Sequence, residues 1–527
     1  MSPDRPRTLG ALLEHCASRF EGRTAIVAPD ARLTFEELFA ASTAVSARLI
    51  SLGVGRGTRV GILLPQSAAW VATFLGVARI GAVGVLLSSY ATPDETRTVL
   101  DASDVEVLVA ASVSPLEPMD LFLERAFPEL SLHTGPVLAV GGAPRLRTIE
   151  LLEPTDAAWA AVAGSELTSD EAVADMALDV SPRDPVVVIC TSGSTGRPKC
   201  VVHSQGACVR QGDALASAMR RTASDRVLVA MPLFWVGGLA VGLLSGLAAG
   251  AEILLQERFD ADGSVDLIAR EGVTDVVGWS TVHERLAAVS VGRPADTATL
   301  RRPLAAAFDG TRARMEGLGM TETLGPHSYL GISDDTVEQD RAGSVGEAIG
   351  GFERRIVEPD SGRPCAAMVV GEICVRGPNL MIGMVGVEQD RLLDDSGWFH
   401  TGDLGYLSQD GELFFVGRHS GTIKVRGMNV SPAEVEAVLL RHPDVTHAVV
   451  TSDFVDGDDR LVASVALRSP VTADELMSWS RRHLASYKVP RHIAVSLRPA
   501  PLLPNGKLDR TTLAQAARTP QAPTRQG

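Results

Sequence analysis

At 527 residues the chain is too long for a single hydrophobic core, so two or more domains are expected. Apolar residues make up 45% and charged residues 21%, which excludes a disordered or fibrous chain. The formal charge of -15 argues against a nucleic-acid partner, because phosphate backbones attract basic surfaces.

Leu9, Leu12, Leu13, Cys16 and Phe20 share one face at helical spacing, so the chain opens on an amphipathic helix rather than an apolar signal core. Thr34 reads as the N-cap of a second helix, with Glu37 completing a capping box. Val60 to Pro65 reads as a buried strand, Trp70 to Arg79 as a helix and Ala82 to Leu87 as a strand. This alternation predicts a parallel sheet covered by helices. Residues 112 to 182 are richer in Ala, Pro and acidic groups, and their middle reads as surface connection. Val186 to Ile189 is again a buried strand, followed by Cys190-Thr191-Ser192-Gly193-Ser194-Thr195-Gly196-Arg197-Pro198-Lys199. Glycines let the backbone fold tightly, so that N–H groups, hydroxyls and a terminal cation converge on an anion. Such a loop suits phosphate, although the Gly-x4-Gly-Lys-[Ser/Thr] spacing is absent. The alternative is a flexible surface linker.

From Met231 to Ala251 there is no charge, a stretch long enough to span a bilayer, and Gly238, Gly242, Gly246 and Gly250 repeat at a helix-packing spacing. Pro232, the Gly237-Gly238 pair and the lack of a neighbouring basic cluster favour a helix pressed against a sheet, with no transmembrane segment. In Leu318-Gly319-Met320-Thr321-Glu322-Thr323 a hydroxyl and a carboxylate stand side by side on a glycine turn, suited to phosphate and Mg²⁺. Gly371 to Gly377 reads as a strand ending in a turn, and Trp398 to Tyr406 contains Thr401-Gly402-Asp403. Beyond Arg418 the units become small. Ser431 reads as an N-cap with Glu434 in the capping-box position, Thr446 to Thr451 and Leu461 to Leu467 as strands, and Ala473 to Leu484 as a helix. That makes a compact α+β domain. Asn505-Gly506 is a turn that thrusts Lys507 outward, and residues beyond Ala517 are polar and proline-bearing, hence disordered. The six cysteines show no CxxC or metal-ligand spacing, which predicts a reduced, cytoplasmic setting. The 11 histidines form no metal-ligand pair, so no metal beyond Mg²⁺ is expected.

In this order the motifs resemble those of the adenylate-forming superfamily: acyl-CoA synthetases, peptide-synthetase adenylation domains and beetle luciferase. The resemblance implies an α/β fold, with a large N-terminal domain of helix-covered sheets over 1–418 and a small mobile α+β C-terminal domain over 422–517. The hinge would be 419–421 at Ser420, and 518–527 a disordered tail. By the same resemblance Thr191, Ser192, Gly193, Ser194, Thr195, Gly196 and Lys199 hold the phosphates of ATP. Gly319, Met320 and Thr321 continue the nucleotide site, Glu322 binds Mg²⁺, and Asp403 and Arg418 grip the ribose. Lys507 bridges the attacking oxyanion and the α-phosphate. Lys424 serves the second half-reaction, where Gly427 leaves room for a thiol's pantetheine arm. Trp235, Val236 and Gly237, with Trp279 and Gly319, border the acyl pocket.

The chain departs from the family pattern in three places. Leu318 replaces an aromatic residue, a helix and strand are missing between Leu300 and Gly317, and Ser420 replaces a charged hinge residue. Trp235 stands where α-amino-acid-activating members place an aspartate, and a buried ammonium without a carboxylate is costly. The implied function is therefore AMP-forming activation of a non-amino carboxylic acid and transfer to the thiol of CoA. The alternatives are an acyl carrier protein as acceptor, or activation of nitrite for an aryl amine. An idle nucleotide binder is the reading from another class. Implied cofactors are ATP, Mg²⁺ and CoA, and the implied partner is a small-molecule acid.

Overall fold

The structure is a computed structural model. It describes residues 5–518 apart from 112–116, 154–155, 162–167, 192–196, 302–316, 331–343, 360, 389–391, 419–422, 426–427, 456–457, 499–500 and 502–508. The chain divides into two compact units. One comprises Met1–Ser89, Ser103–Cys190 and Cys200–His419, and the other Tyr90–Ala102, Thr191–Lys199 and Ser420–Gly527.

The first unit is built on two largely parallel sheets. One has seven strands in the order Gly383–Met384, Lys199–Ser204, Pro185–Thr191, Val83–Leu86, Arg59–Leu63, Val107–Ala110, Thr148–Leu151. The last five of these are mutually parallel, and Val83–Leu86 and Val107–Ala110 are buried throughout, as parallel strands covered on both faces must be. The second sheet runs Asp275–Val277, Arg226–Val229, Glu252–Leu255, Thr24–Val27, parallel to that point, with Arg32–Thr34 as an antiparallel edge. The Thr34–Glu37 capping box forms, with Glu37 N–H donating to Thr34 Oγ1 at 3.2 Å and Thr34 N–H to Glu37 Oε2 at 2.8 Å. The helix it starts, Phe35–Ser51, packs so closely on Ala68–Arg79 that a Cβ at Gly76 would stand 2.8 Å from Ser42 O. Two antiparallel sheets complete the unit: Glu353–Val357, Gly371–Arg376, Phe399–Leu407, Leu413–Arg418, and Gly317–Met320, Gly325–Tyr329, Glu347–Ala348.

The uncharged stretch from Met231 to Ala251 belongs to this unit. Gly237–Leu244 winds as a π-helix and continues as an α-helix over Ser245–Ala249. Its glycine ridge faces the five-stranded sheet: a Cβ at Gly242 would lie 2.6 Å from Val229, and one at Gly246 2.8 Å from Ile253. Absent side chains let the helix axis approach the strands, which is what the repeat serves. The buried Arg221 guanidinium donates to Val241 O and Ser245 Oγ and pairs with Asp275 at 2.7 Å, supplying partners to backbone that π-winding leaves irregular. Among the described residues no helix is long and apolar enough to cross a membrane.

The second unit has its own core, including Val430, Val435, Leu439, Leu461, Val465 and Leu476. Val445–Val455 pairs antiparallel with Asp458–Leu467, which pairs parallel with His492–Ser496. The helices Pro432–Leu440, Ala473–His483 and Arg510–Arg518 belong to the same unit. Here one sequence expectation fails. Ser431 precedes Pro432 at the first helical position, yet its side chain makes no capping hydrogen bond. Glu434 is drawn elsewhere. Its Oε1 accepts from Lys488 Nζ at 2.8 Å, and Lys488 also donates to Glu95 Oε1 at 2.8 Å on the helix Pro93–Ala102. A buried ammonium competes more strongly for a carboxylate than a helix cap does, because leaving the ammonium unpaired costs more.

Candidate active site

The Thr321–Glu322 turn is a one-turn 3₁₀ helix, Thr321–Thr323, joining the strands Gly317–Met320 and Gly325–Tyr329. Thr323 Oγ1 closes it, accepting from Met320 N–H at 3.1 Å and donating to Gly325 O at 2.6 Å. Gly319 is required on steric grounds, since a Cβ there would stand 2.2 Å from Gly325 O. From beneath, His203 Nε2–H donates to Thr321 O at 2.7 Å. His203 is fully buried, and burial pushes its pKa down to about 4, so the ring is neutral. Its other nitrogen has no partner among the described residues. This support was missed from sequence, where a histidine in a buried strand carries no distinguishing pattern. The turn leaves the Glu322 carboxylate half-buried, and a carboxylate beside a hydroxyl is a donor set that fits a hard divalent cation such as Mg²⁺.

The residues expected to border the acyl pocket meet this turn. A Cβ at Gly325, the strand partner of Met320, would lie 3.3 Å from Ala240 and 3.9 Å from Val236. Trp235 sits edge-on between Phe234 and Trp279, with ring centroids 4.8 Å and 5.2 Å away. A Cβ at Gly237 would stand 2.5 Å from Met231 Sδ, so a larger residue there would have to displace the methionine side chain. The segment is uncharged, so it offers no carboxylate to a substrate ammonium.

Asp403 is 4% exposed on Phe399–Leu407 and is the register partner of Arg418 on Leu413–Arg418, so the two residues expected at the ribose stand opposite each other. The loop leading into Asp403 is held by a residue that sequence reading did not single out. Glu372 accepts from Gly402 N–H at 3.0 Å and from His400 Nδ1–H at 2.8 Å. Cys374 Sγ lies 3.5 Å from the same nitrogen, and burial pushes that thiol up to about 12. Glu372, Cys374 and His400 thus offer three potential metal-ligating atoms within 4.8 Å of one another, which sequence spacing did not reveal. The mutual hydrogen bonds among them suffice to explain the cluster.

Of the phosphate stretch, Thr191 ends the strand Pro185–Thr191 and the exposed Lys199 begins Lys199–Ser204. Ser192, Gly193, Ser194, Thr195 and Gly196 lie outside the described residues, as do Lys507, Ser420, Gly427 and the shortened segment before Met320. Of Arg418, only the backbone register is described. Contrary to the all-reduced reading of the cysteines, Cys190 and Cys200 are disulfide-bonded across the base of this stretch, a pairing that no CxxC spacing signals. In the second unit Lys424 is exposed on the hairpin strand Ile423–Val425, between Ile423 and Val425, which with Val430 of the partner strand belong to the core of that unit.

Models of the AMP-binding enzyme family match residues 13–385, and those of the AMP-binding enzyme C-terminal domain match 434–507. The chain is 30% identical to 4-coumarate–CoA ligase 5 of Oryza sativa subsp. japonica, over 91% of this chain and 89% of that protein. The o-succinylbenzoate CoA synthetase of Bacillus subtilis superposes with a TM-score of 0.75 at 26% identity, covering 97% of this chain and 98% of that one. The amide bond synthetase of Marinactinospora thermotolerans gives a TM-score of 0.78, also at 26% identity, covering 96% and 99%.

Proposed function

Because the chain belongs to the AMP-binding enzyme family and is an AMP-forming ligase, we propose that it adenylates an uncharged-tailed, non-amino carboxylic acid and transfers the acyl group to the thiol of CoA. The observation that carries the substrate class is the aromatic trio Phe234, Trp235 and Trp279 on an uncharged segment against the Thr321 turn. The relatives named as CoA ligases support the acceptor.

In this reading a substrate carboxylate oxygen attacks the α-phosphorus of ATP, and the bond to pyrophosphate breaks. The stretch Thr191–Lys199 receives the departing phosphates, with Thr321 at the α-phosphate. Asp403 and Arg418 hold the ribose, while Gly319 and Met320 form the floor. Mg²⁺, held by Glu322, neutralises phosphate charge when bound. Lys507 stabilises charge on the attacked phosphate. With domain limits at 1–418 and 422–517, the smaller domain then turns about Ser420, and Lys424 replaces Lys507 for thioester formation.

The test is AMP release from MgATP with pooled carboxylic acids, with and without CoA. AMP dependent on the acid, and a thioester by mass spectrometry, is the expected result. An amide formed from an added amine in place of the thioester would transfer the acceptor to the amine class, as in the structural relative above. AMP formed only with nitrite and an aryl amine would overturn the carboxylate. Lys507→Ala should slow adenylation by about 10²–10³ and spare thioester formation from a supplied acyl-adenylate. Equal loss of both steps would sink the division of labour.

A further inference from the structure

We propose that Cys190 and Cys200 are a reversible dithiol–disulfide site that fixes the two strand ends bearing Thr191 and Lys199, and thereby sets the affinity for ATP. The ATP half of this inference rests on the nucleotide reading above. The two cysteines lie ten residues apart on consecutive, neighbouring strands and are bonded to each other. The bond falls one residue outside each end of the stretch assigned to the phosphates. The covalent ring it closes therefore runs from Cys190 to Cys200 and encloses that stretch.

The pair also differs chemically from three of the four other cysteines. Cys16, Cys208 and Cys374 are buried, and burial pushes each thiol up to about 12, which suppresses the reactive thiolate. Cys190 is half-buried, whereas Cys200 is 1% exposed. Cys190 is thus the sulfur that meets a small disulfide first, and Cys200 resolves the mixed disulfide. With glutathione disulfide as oxidant, the Cys190 thiolate attacks one of its sulfurs and expels a glutathione thiolate. The Cys200 thiolate then attacks Cys190 Sγ and expels the second. Two protons leave the protein thiols and two electrons reduce the small disulfide. Reduction by a dithiol runs the same steps backwards.

A linked pair of strand ends has less freedom to lose when an anion binds at Thr191 and Lys199. The oxidised protein should therefore bind MgATP several-fold more tightly than the reduced one.

The experiment equilibrates the full chain with glutathione and glutathione disulfide at a series of ratios. Each sample is differentially alkylated and mapped by mass spectrometry, its hydrogen exchange over Pro185–Thr191 and Lys199–Ser204 is measured without nucleotide, and MgATP binding is titrated directly. Expected are a Cys190–Cys200 crosslink, slower exchange at both strand ends, and tighter ATP binding on oxidation. All three should be absent from Cys190→Ser/Cys200→Ser, while Cys365, half-buried and unpaired, alkylates throughout as the internal control. Failure to crosslink in the oxidised samples would overturn the proposal, and so would equal ATP affinity in both states. Redox-dependent exchange without ATP binding in either state would instead sink the nucleotide reading and keep the redox site.

Discussion

Behind the Thr321 turn the first unit buries His203 as an uncharged ring with a single hydrogen bond, whereas the second unit buries a full charge, the Lys488 ammonium, between Glu95 and Glu434. In the first case burial decides the protonation state. In the second it does not: desolvation opposes the charge of Lys488, but the adjoining Tyr487, Glu434 and Glu95 outweigh it and hold the ammonium above its usual range. A neutral group can be hidden with one partner and an idle nitrogen, while a charge demands that every neighbour be in place. The two units should therefore fail in different ways.

The largest expected effect is in the second unit. Lys488→Ala leaves two carboxylates facing each other with side chains only 12% and 17% exposed, and should cost about 3–5 kcal/mol. Denaturant unfolding of the full chain measures it. A loss below 1 kcal/mol would show that the network is solvated and would dissolve the contrast.

Acid should strike the first unit instead. His203 and His327 have native pKa values depressed by burial to about 4 and about 3, in the second case helped by Arg354. An unfolded histidine binds its proton near 6.5 while these do not, so their stabilising contribution is complete above that pH and is lost as the pH falls below it. Each histidine should remove about 1.4 kcal/mol per pH unit on the way down. Glu434, raised by burial, runs the other way, so segment-resolved hydrogen exchange at pH 7 and pH 5 should show the first unit loosening before the second. His203→Phe should flatten part of that slope. An unchanged slope would place the acid sensitivity elsewhere.

The smallest test concerns the two caps. Thr34→Ala should cost about 1 kcal/mol because both halves of its box are made, and Ser431→Ala less than half as much, because that side chain caps nothing. Equal losses would mean that the competition of Lys488 for Glu434 has no energetic meaning.

What could be read from the residues follows from the range of the interactions. The strands at Val60 and Ala82, the helix at Trp70 and the Thr34 box are written in neighbours within a few positions, and the structure has them all. The glycine repeat from Gly238 to Gly250 was legible as a packing ridge, but its π-winding was not, since the partners of that irregular backbone come from Arg221. The Ser431 box was lost to Lys488, 54 residues from Glu434. At the candidate site the motif around Thr321 announces itself, whereas His203, 118 residues distant, and Glu372, 30 residues from Gly402, act through contacts that only folding creates. The Cys190–Cys200 pair belongs to the same class, because it needs two strands laid side by side.

The π-winding of Gly237–Leu244 also fixes a count. It carries Gly242 and stands between Trp235, held against Trp279, and Gly246, held like Gly242 against the sheet. Removing one residue would let the segment tighten towards an α-helix and turn one side against the other by about 100°. Either the indole would swing away from its neighbour or the ridge would lift off the strands. The number of residues between rim and ridge is therefore as much a determinant of the proposed pocket as any side chain in it, and changes of length there alter its shape in whole steps rather than by degrees.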